Sequence, residues 1–448
     1  MPRKSERSCE VVAFSRGQRS PGLSMAPKLY RQRQESAICR AKSESYSECR
    51  LDSGAPLMTG RLTTHRGEPV VLPRHLRTLA ALVASAVRFR CCMIRAAAVT
   101  LLALLSTVVA VAASAPSLAT RATIRLPGSP SRFDYLSLDG ALHRLFISHM
   151  GDGRVVVFDT VHNRVLADLP GFEGDTGITV VPSINRVYVS VTGSLLNRAF
   201  GSGKVAVLDA ATLRVIARIP GGRFPDGSAY VPQLHRLFVS DEFGGQDLVI
   251  DTVADQPAGR IPLGGSAGMT VFDPTSGKVM VNVQSRRVLA VIQPTTDAIV
   301  RRVALPAACV HNHGLLLDDA ARLAFIACDG NARLVVLDLL DWRVTGIHTL
   351  GKDPDVLAFD PTRKLLYVAS ESGVISVFSV SGRDVRKLWQ GYVGDDAHSV
   401  AVDPRTGLLY VPIRDVDGHP VLRIMAFAPP SPMTGHDGDP PGRTKNLR

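Results

Sequence analysis

The chain has 448 residues, of which 45% are hydrophobic and 21% charged, with a formal net charge of +12. This length allows two or three average domains, or one large β domain with appended segments. Residues 1–92 carry 17 Lys and Arg against 7 Asp and Glu, whereas the remaining 356 residues carry 35 against 33. The body is therefore nearly neutral, which argues against nucleic acid as a partner, because phosphate binding requires a basic surface.

The first 92 residues are rich in Arg and Ser and have no sustained apolar period, as is typical of a disordered leader. At Met93 the sequence becomes "MIRAAAVTLLALLSTVVAVAASAPS". A short basic start, an apolar run and an Ala-Ser-Ala motif ending at Ala115 are the three parts of a signal peptide. We therefore predict that residues 1–92 precede the true translation start and that residues 93–119 form a signal peptide.

Two alternatives remain for this segment. Pro116 hinders cleavage directly after Ala115, so cleavage after Ala119 is the alternative within the signal-peptide hypothesis. The apolar run is also long enough for an N-terminal anchor helix. No cysteine follows the run at lipoprotein spacing, and we expect a periplasmic or secreted protein with no membrane span in its mature form.

From residue 121 onward one unit recurs seven times. Each unit has an apolar strand, an Asp-bearing turn, a second strand such as "LLYVAS", a Gly-bearing turn and a third strand such as "VAVLDA". Most units add a fourth strand. The residue five places before the turn aspartate, or its equivalent, recurs at intervals of 42 to 50 residues; these marker residues are Asp134, Thr176, Asp226, Gly268, His313, Asp355 and His398.

Four short strands repeating at this period predict an all-β fold, a seven-bladed β-propeller over residues 120–428. The seventh unit ends after its third strand, while "RATIRLPG" at residues 121–128 matches the fourth-strand sequence "RVIARIPGG". An N-terminal strand that completes the last blade would close the ring and leave no open sheet edge. Residues 429–448 are rich in Pro and Gly and are predicted to be a disordered tail.

The segments "NRVYVSVTGS", "HRLFVSDEFG" and "KLLYVASESG", each followed by a "VAVLD"-type strand, resemble the YVTN-repeat β-propellers, the YncE-like group of exported bacterial proteins. The resemblance covers about residues 121–428 and implies the propeller fold and export. Relatives include proteins proposed to bind nucleic acid, and other seven-bladed propellers are lactone hydrolases, metal-dependent lyases or copper enzymes. The fold therefore does not fix the function. The second strand "VYVSVTG" also departs from the Tyr-Val-Thr-Asn pattern.

In a propeller the first strand of each blade lines the central channel, so the marker residues are expected to meet at the channel mouth. The candidate metal or ligand residues are His311, His313, Asp355, His398, Asp134 and Asp226. Imidazole and carboxylate groups together suit zinc, copper, iron or manganese. His313 and His398 are also the candidates for acid–base catalysis. Any one aspartate taken alone is better explained by backbone hydrogen bonds in a turn, and only the joint occurrence at equivalent blade positions favours a site.

Five of the seven cysteines lie in residues 1–92, and the body retains Cys309 and Cys328. An even pair in an exported protein predicts a disulfide, which here would brace the loop that carries His311 and His313. Metal ligation by the two cysteines is the alternative. A second row at the mouth, from the loops between second and third strands, offers weaker candidates: His149, Asp241, Asp329, Glu371 and Asp415.

These features favour an exported, monomeric binding or scaffold protein with a divalent-metal or small-ligand site at the channel mouth, which a partner protein could also occupy. The first alternative is a lactonase-like or lyase-like enzyme that uses the same His/Asp cluster. The second is an interaction module for protein or nucleic acid without catalysis. The sequence has no phosphate loop, nucleophile elbow, CxxC or HExxH motif, so we expect no nucleotide cofactor.

Overall fold

A computed structural model describes residues 115–429 of the chain. The predicted leader, most of the predicted signal peptide and nearly all of the predicted tail lie outside these residues. The described part forms seven four-stranded antiparallel sheets, which confirms the predicted seven-bladed β-propeller. Within residues 115–429, no helix is long and apolar enough to cross a membrane.

The strands follow one another from the channel outward in each blade. Blade one is β2 (Leu136–Asp139), β3 (Arg144–His149), β4 (Arg154–Asp159) and β5 (Arg164–Pro170). Blade two is β6 (Asp175–Val181), β7 (Arg186–Val191), β8 (Gly203–Asp209) and β9 (Val215–Gly222). Blade three is β10 (Pro225–Val231), β11 (Arg236–Asp241), β12 (Gln246–Asp251) and β13 (Gln256–Pro262). Blade four is β14 (Ala267–Asp273), β15 (Lys278–Val283), β16 (Val288–Gln293) and β17 (Ala298–Ala304).

The remaining blades continue this order. Blade five is β18 (Asn312–Asp318), β19 (Leu323–Cys328), β20 (Arg333–Asp338) and β21 (Val344–Thr349). Blade six is β22 (Pro354–Asp360), β23 (Leu365–Ser370), β24 (Val374–Ser381) and β25 (Asp384–Tyr392). Blade seven is β26 (Ala401–Asp403), β27 (Leu408–Val416), β28 (His419–Ala428) and β1 (Ser117–Arg125). A short helix, α1 (Leu195–Phe200), interrupts blade two between β7 and β8.

The ring closes as predicted, because β1 pairs with β28 and supplies the outer strand of blade seven. The strand begins at Ser117, earlier than the predicted position 121, and so enters the segment assigned to the signal peptide. The reason is its pairing: Ser117 lies opposite Ala428, and Thr120 lies opposite Met425. An antiparallel strand extends as far as its partner offers free backbone groups.

The core lies between the blades. Middle strands are buried on both faces, as in β4, where all four residues from Val155 to Phe158 have no exposed surface. Apolar side chains from neighbouring sheets pack together; Phe146 and Val157 of blade one, for example, share a cluster with Val189 of blade two. The outer strands alternate exposed and half-buried residues because only one face packs against protein.

The turn aspartates have the structural role that their sequence context suggests. Asp139 Oδ1, at the end of β2, accepts hydrogen bonds from the backbone N–H groups of Ala141 and Leu142, each at 2.9 Å. The equivalent Asp360 accepts from the N–H groups of Thr362 and Arg363. Such aspartates hold the first hairpin of a blade and point away from the channel mouth.

Candidate functional site

The channel mouth is a polar cavity of about 380 Å³ on one face of the ring. Its wall includes five of the six candidate residues, namely Asp134, Asp226, His311, His313 and Asp355. The sixth, His398, contributes a ring nitrogen that lies close to Asp134 and Asp355. The structure therefore brings together side chains from blades one, three, five, six and seven, as the repeat predicts.

Bonds between neighbouring blades fix where the inner strands begin. Ser190 at the end of β7 donates to the carbonyl oxygen of Asp226 at 2.6 Å, and Asn282 in β15 donates to the carbonyl oxygen of His313 at 3.0 Å. Glycine allows the strands to approach this closely. A Cβ on Gly314 would lie 2.2 Å from the carbonyl oxygen of Asp355, so no larger residue fits there without a shift of the backbone.

Asp134, Asp355 and His398 form one compact group at the mouth. One donor atom from each residue lies within 4.8 Å of the donor atoms of the other two. His398 Nε2 is buried and has no hydrogen-bond partner, and Asp355 Oδ1 is buried with only a longer contact of 3.3 Å to His313 Nε2. Unpaired polar atoms cost free energy in a protein interior, and here they lie beside the carboxylate of Asp134.

The imidazole of His398 is held in one orientation. Its Nδ1 lies 3.0 Å from the carbonyl oxygen of Asp396 and 3.1 Å from Asp396 Oδ1. Because the carbonyl and the carboxylate oxygens accept, Nδ1 carries a proton and Nε2 faces the cluster. Burial lowers the pKa of His398, but the hydrogen bond to Asp396 and the charges of Asp355 and Asp134 outweigh burial and raise it. Histidines that bind metals commonly donate the N–H of the other ring nitrogen to a carboxylate or carbonyl oxygen, and Nδ1 of His398 makes this kind of hydrogen bond.

His313 is oriented by a similar relay. Gln284 donates its amide N–H to Glu242 Oε1 at 2.8 Å, which turns its amide oxygen toward His313 Nδ1, also at 2.8 Å. The other nitrogen, Nε2, lies 3.3 Å from Asp355 Oδ1 and 3.8 Å from Asp226 Oδ2. Both imidazoles therefore direct Nε2 at carboxylates of the mouth, and Asp355 is close to both.

The charges of this group are strongly coupled. Burial lowers the pKa of His313, but the carboxylates of Asp355 and Asp226 outweigh burial and raise it to about 10. Burial raises the pKa of Asp355, but His313, His398 and Arg132 outweigh burial and lower it to about 2. Burial raises the pKa of Asp134 to about 6, and the negative charge of Asp355 adds to the rise.

Asp226 adds a further carboxyl group. Burial raises its pKa well above the usual range, and Asp134 and Glu242 act in the same direction. Burial and the neighbouring carboxyl groups of the mouth therefore favour the neutral form of Asp226.

His311 takes part in the cavity wall but not in the cluster. Its Nδ1 lies 2.8 Å from both carboxylate oxygens of Asp329, and its side chain is 44% exposed. Hydrogen bonding to Asp329 outweighs burial and raises the pKa of His311. The sequence interpretation placed His311 and His313 in one site, whereas the structure pairs each with a different carboxylate.

The second row has mixed roles. Asp329 and Glu371 line the cavity. His149 is buried against Ser131, with 3.0 Å between Nε2 and Oγ, and Asp241 Oδ1 accepts backbone N–H bonds from Arg223, Phe224 and Gly244. Asp415 Oδ1 accepts the N–H of Gly418, as an ordinary turn residue does.

Several residues that line the mouth were not predicted from the sequence. Arg132 is the main one: its Nη1 lies 2.9 Å from Glu371 Oε1, and its Nη2 lies 3.9 Å from Asp355 Oδ2. A simple positional rule would have found it. The residues two places before the markers form an outer ring, and those that line the cavity are Arg132, Phe224, His311 and Asp353.

The predicted disulfide is confirmed, with the Cα atoms of Cys309 and Cys328 5.3 Å apart. It links the loop before β18 to the end of β19, and Asp329 follows it directly. Both cysteines are fully buried and bonded to each other, so neither provides a thiolate for a metal.

Comparison with known proteins shows the fold alone. Hydrazine synthase of Kuenenia stuttgartiensis matches with a TM-score of 0.56 and 14% identity, over 68% of this chain and 97% of that chain. A chain of a mitotic checkpoint complex matches with a TM-score of 0.58 and 10% identity, over 70% and 94%. The RRP9 WD40 repeats match with a TM-score of 0.56 and 10% identity, over 69% and 100%. No protein-family model and no curated protein matches the sequence. The chain is a seven-bladed β-propeller with neighbours of WD40 and related propeller types.

Proposed function

We propose that this chain is an exported β-propeller binding protein that holds a divalent metal ion at the channel mouth. One observation carries the proposal: His398 Nε2 is buried without a hydrogen-bond partner, and Asp134 and Asp355 each bring a carboxylate oxygen within 4.8 Å of it. A metal ion would bind the unpaired nitrogen and both carboxylates at once.

The donor set indicates the kind of ion. His398, Asp355 and Asp134 offer one nitrogen and two carboxylates, and His313 can add a second nitrogen when its Nε2 is deprotonated. Imidazole with carboxylate suits zinc, manganese, iron or copper, whereas calcium and magnesium prefer oxygen donors alone. Since the two cysteines of the propeller form a disulfide, ions that require thiolates are not favoured.

Export is part of the proposal. A disulfide in the body is typical of proteins from oxidising compartments, and the signal-peptide pattern of residues 93–119 points the same way. Membership of the YVTN-repeat, YncE-like group is also part of the proposal. The support for it is the sequence of the second and third strands, since no family model matches the chain.

A second candidate function uses the same residues in a lactonase-like or lyase-like reaction. The observation in its favour is the cavity of about 380 Å³ directly at the cluster, which is large enough for a small substrate. His313, with a second nitrogen facing Asp355 and Asp226, would then donate or accept a proton. The third candidate, an interaction module, draws support from neighbours that belong to protein assemblies, such as the checkpoint complex.

The test is metal analysis of the full chain purified without chelator, followed by calorimetric titration of the metal-free protein with Zn²⁺. We expect close to one metal per chain and the loss of binding in His398→Ala and Asp355→Asn. Two matched controls lie beside the ligands: His311→Ala and Asp353→Asn alter the same loops but not the cluster, so both should bind as the wild type does. Equal zinc affinity in all five proteins would overturn the proposal.

A further inference from the structure

The helix α1 (Leu195–Phe200) presents an apolar face to solvent. It lies in the connection between β7 and β8, on the side of the ring that carries the channel mouth. The side chains of Leu195, Leu196 and Phe200 are 80%, 69% and 82% exposed. Residues four places apart lie on the same face of a helix, so Leu195 with Ala199 and Leu196 with Phe200 form one exposed apolar stripe.

The polar residues of α1 face the protein instead. Asn197 Nδ2 donates to Ser202 Oγ at 3.1 Å, and Arg198 Nε donates to Thr192 Oγ1, also at 3.1 Å. Ser194 caps the first turn, because its side chain accepts the backbone N–H of Asn197. These bonds fix the helix with its apolar stripe outward, the reverse of an ordinary surface helix, which buries its apolar face.

An aromatic pair lies beside the helix. The ring centroids of Phe224 and Phe243 are 4.5 Å apart, and the guanidinium carbon of Arg198 lies 5.2 Å from the centroid of Phe224. Phe224 lines the channel mouth, whereas Phe243 is 54% exposed. Exposed apolar surface of this kind marks a site of interaction. We call the following residues the apolar patch: Leu195, Leu196, Ala199, Phe200 and Phe243.

The chain around the patch is basic. Residues 192–224 contain five Arg and Lys and one acidic residue, Asp209. Asp209 lies at the far end of β8, on the opposite face of the ring, where it accepts backbone N–H groups of a turn. Arg223 is exposed beside the C-terminal end of α1, since a Cβ on Gly201 would lie 3.2 Å from Arg223 Cγ. The patch is therefore complementary to a partner that is both apolar and negatively charged.

Two acidic side chains lie near the patch without reversing this charge. Glu242 precedes Phe243 but is directed into the mouth, where its Oε1 accepts from Gln284 at 2.8 Å. Glu173 is exposed, and its carbonyl oxygen accepts the backbone N–H of Gly193. On the same side of blade two it is outnumbered by four basic residues: Arg198, Lys204, Arg218 and Arg223.

We propose that the apolar patch docks the propeller on an anionic lipid bilayer, with α1 and Phe243 among the lipids and Arg223 at the headgroups. Apolar insertion and attraction of basic residues to anionic lipids act together in this kind of binding. The proposal goes beyond metal binding and does not rest on it.

Two properties favour a bilayer over a protein as the occupant. A stable protein interface takes about 20–30 residues on each side, whereas the patch has five projecting side chains. A bilayer requires no matching surface, because its lipids rearrange around the inserted side chains. A second copy of the chain would also bring two basic surfaces together, which repel each other.

The test uses the full chain with a tryptophan reporter in the patch. Phe200→Trp places the reporter at a position that is 82% exposed, and Val253→Trp places it at a position that is 78% exposed on the opposite face. The spectrum of the wild type, which contains two tryptophans, is subtracted. Vesicles of phosphatidylcholine with phosphatidylglycerol should shift the emission of Phe200→Trp to shorter wavelength, and a brominated lipid should quench it. Neither effect is expected for Val253→Trp.

The readout is local to residue 200, so apolar segments elsewhere in the chain do not contribute to it. Titration with vesicles also gives the affinity. Vesicles of phosphatidylcholine alone should bind about tenfold more weakly than those with phosphatidylglycerol, because they lack the attraction to basic residues. High salt should remove this difference by screening.

Further variants, made in the Phe200→Trp chain, separate the apolar contribution from that of charge. The double variant Leu195→Ser, Leu196→Ser should bind both kinds of vesicle about tenfold more weakly, because two apolar side chains are lost. Arg223→Gln should bind anionic vesicles about fivefold more weakly and phosphatidylcholine alone nearly as before. Arg214→Gln removes an exposed charge at the opposite end of blade two and should have no effect. Thermal melting checks that each variant folds.

The contrary outcomes are equally specific. Equal emission changes in Phe200→Trp and Val253→Trp, or none in either, would overturn the bilayer proposal. Vesicle affinity that is unchanged in the double leucine variant would overturn it as well. Analytical ultracentrifugation covers the other occupant: a dimer that this variant abolishes, in a protein that does not bind vesicles, would assign the patch to a second copy.

Discussion

His313 Nε2 lies 3.3 Å from Asp355 Oδ1, and this contact joins blades five and six at the channel mouth. The same carboxylate also belongs to the group with His398 and Asp134. One aspartate therefore connects the two imidazoles of the mouth, and its removal should affect both. This relation is the basis of the first two predictions.

The first prediction concerns the protonation of His313 in metal-free protein. Because Asp355 and Asp226 raise its pKa from 6.5 to about 10, the imidazole should stay protonated through pH 8. The folded pKa is raised, so the resulting stabilisation is present in full below pH 6.5 and is lost as the pH rises toward 10. NMR titration of the imidazole resonances measures this, and a midpoint near 6.5 would contradict it.

The second prediction is that Asp355→Asn lowers the pKa of His313. The variant removes the nearest negative charge while burial continues to disfavour the charged imidazole, so the midpoint should fall by more than one pH unit. Asp353→Asn, whose carboxylate also lines the mouth, serves as control and should leave the midpoint nearly unchanged. A similar fall in both variants would show that the effect is a general one of net charge.

Much of the fold could be predicted from sequence because the repeat fixes it. A period of about 43 residues with an aspartate turn in each unit determines the number of blades, and the match between 121–128 and the fourth-strand sequence determines ring closure. The start of β1 could not be predicted in the same way. Ser117 joins the strand through its pairing with Ala428, a contact between the two ends of the propeller.

The sequence predicts which residues meet at the channel mouth, but it does not predict which imidazole faces which carboxylate. Equivalent blade positions bring Asp134, Asp355 and His398 together in any propeller of this register. Which imidazole faces which carboxylate depends on side-chain torsions and on supports such as Gln284, which no marker rule selects. Adjacent residues in a strand point to opposite sides, and the loop before β18 turns at His311, which has a φ of +58°.

A third prediction tests ring closure. Removal of residues 1–119 leaves Thr120 to Arg125 of β1 paired with β28, so the propeller should fold and melt within a few degrees of the mature protein. Removal of residues 1–125 deletes the strand and exposes the edge of β28, an edge that invites aggregation. We expect a clearly lower melting temperature and concentration-dependent aggregation for the second truncation only, measured by thermal melting and light scattering.

A fourth prediction concerns the disulfide. The bridge closes a loop of 19 residues, which corresponds to about 3 kcal/mol of stabilisation by chain entropy. The double variant Cys309→Ser, Cys328→Ser should lose stability of this order in urea unfolding. Added reductant should destabilise the wild type in the unfolding titration and leave the double variant unchanged. An equal response of both proteins to reductant would contradict a structural bridge.

A final prediction concerns pH-dependent stability away from the mouth. Asp247 is fully buried between blades three and four, and its Oδ1 accepts from Thr270 Oγ1 at 3.0 Å. Burial raises its pKa to about 7. The unfolded carboxyl group ionises near pH 3.9, whereas the folded one stays protonated to about pH 7. The free energy of unfolding should therefore fall as the pH rises from 4 to above 7, by up to about 4 kcal/mol. Asp247→Asn keeps the acceptor without the charge, so it should raise the melting temperature at pH 8 and change it little at pH 4.

Asp273 provides the contrasting variant, because it is also buried but is paired with Arg322, whose two terminal nitrogens each lie 2.7 Å from one of its oxygens. Burial raises the pKa of Asp273, but the hydrogen bonds from Arg322 and Ser276 outweigh burial and lower it. A lowered folded pKa contributes stability above the unfolded pKa, which is lost as the pH falls through the folded pKa. Asp273→Asn should therefore lower the melting temperature at pH 8 and have less effect near pH 3. Opposite signs for the two variants at pH 8 would establish that the partner of a buried aspartate, and not its burial alone, decides its effect on stability.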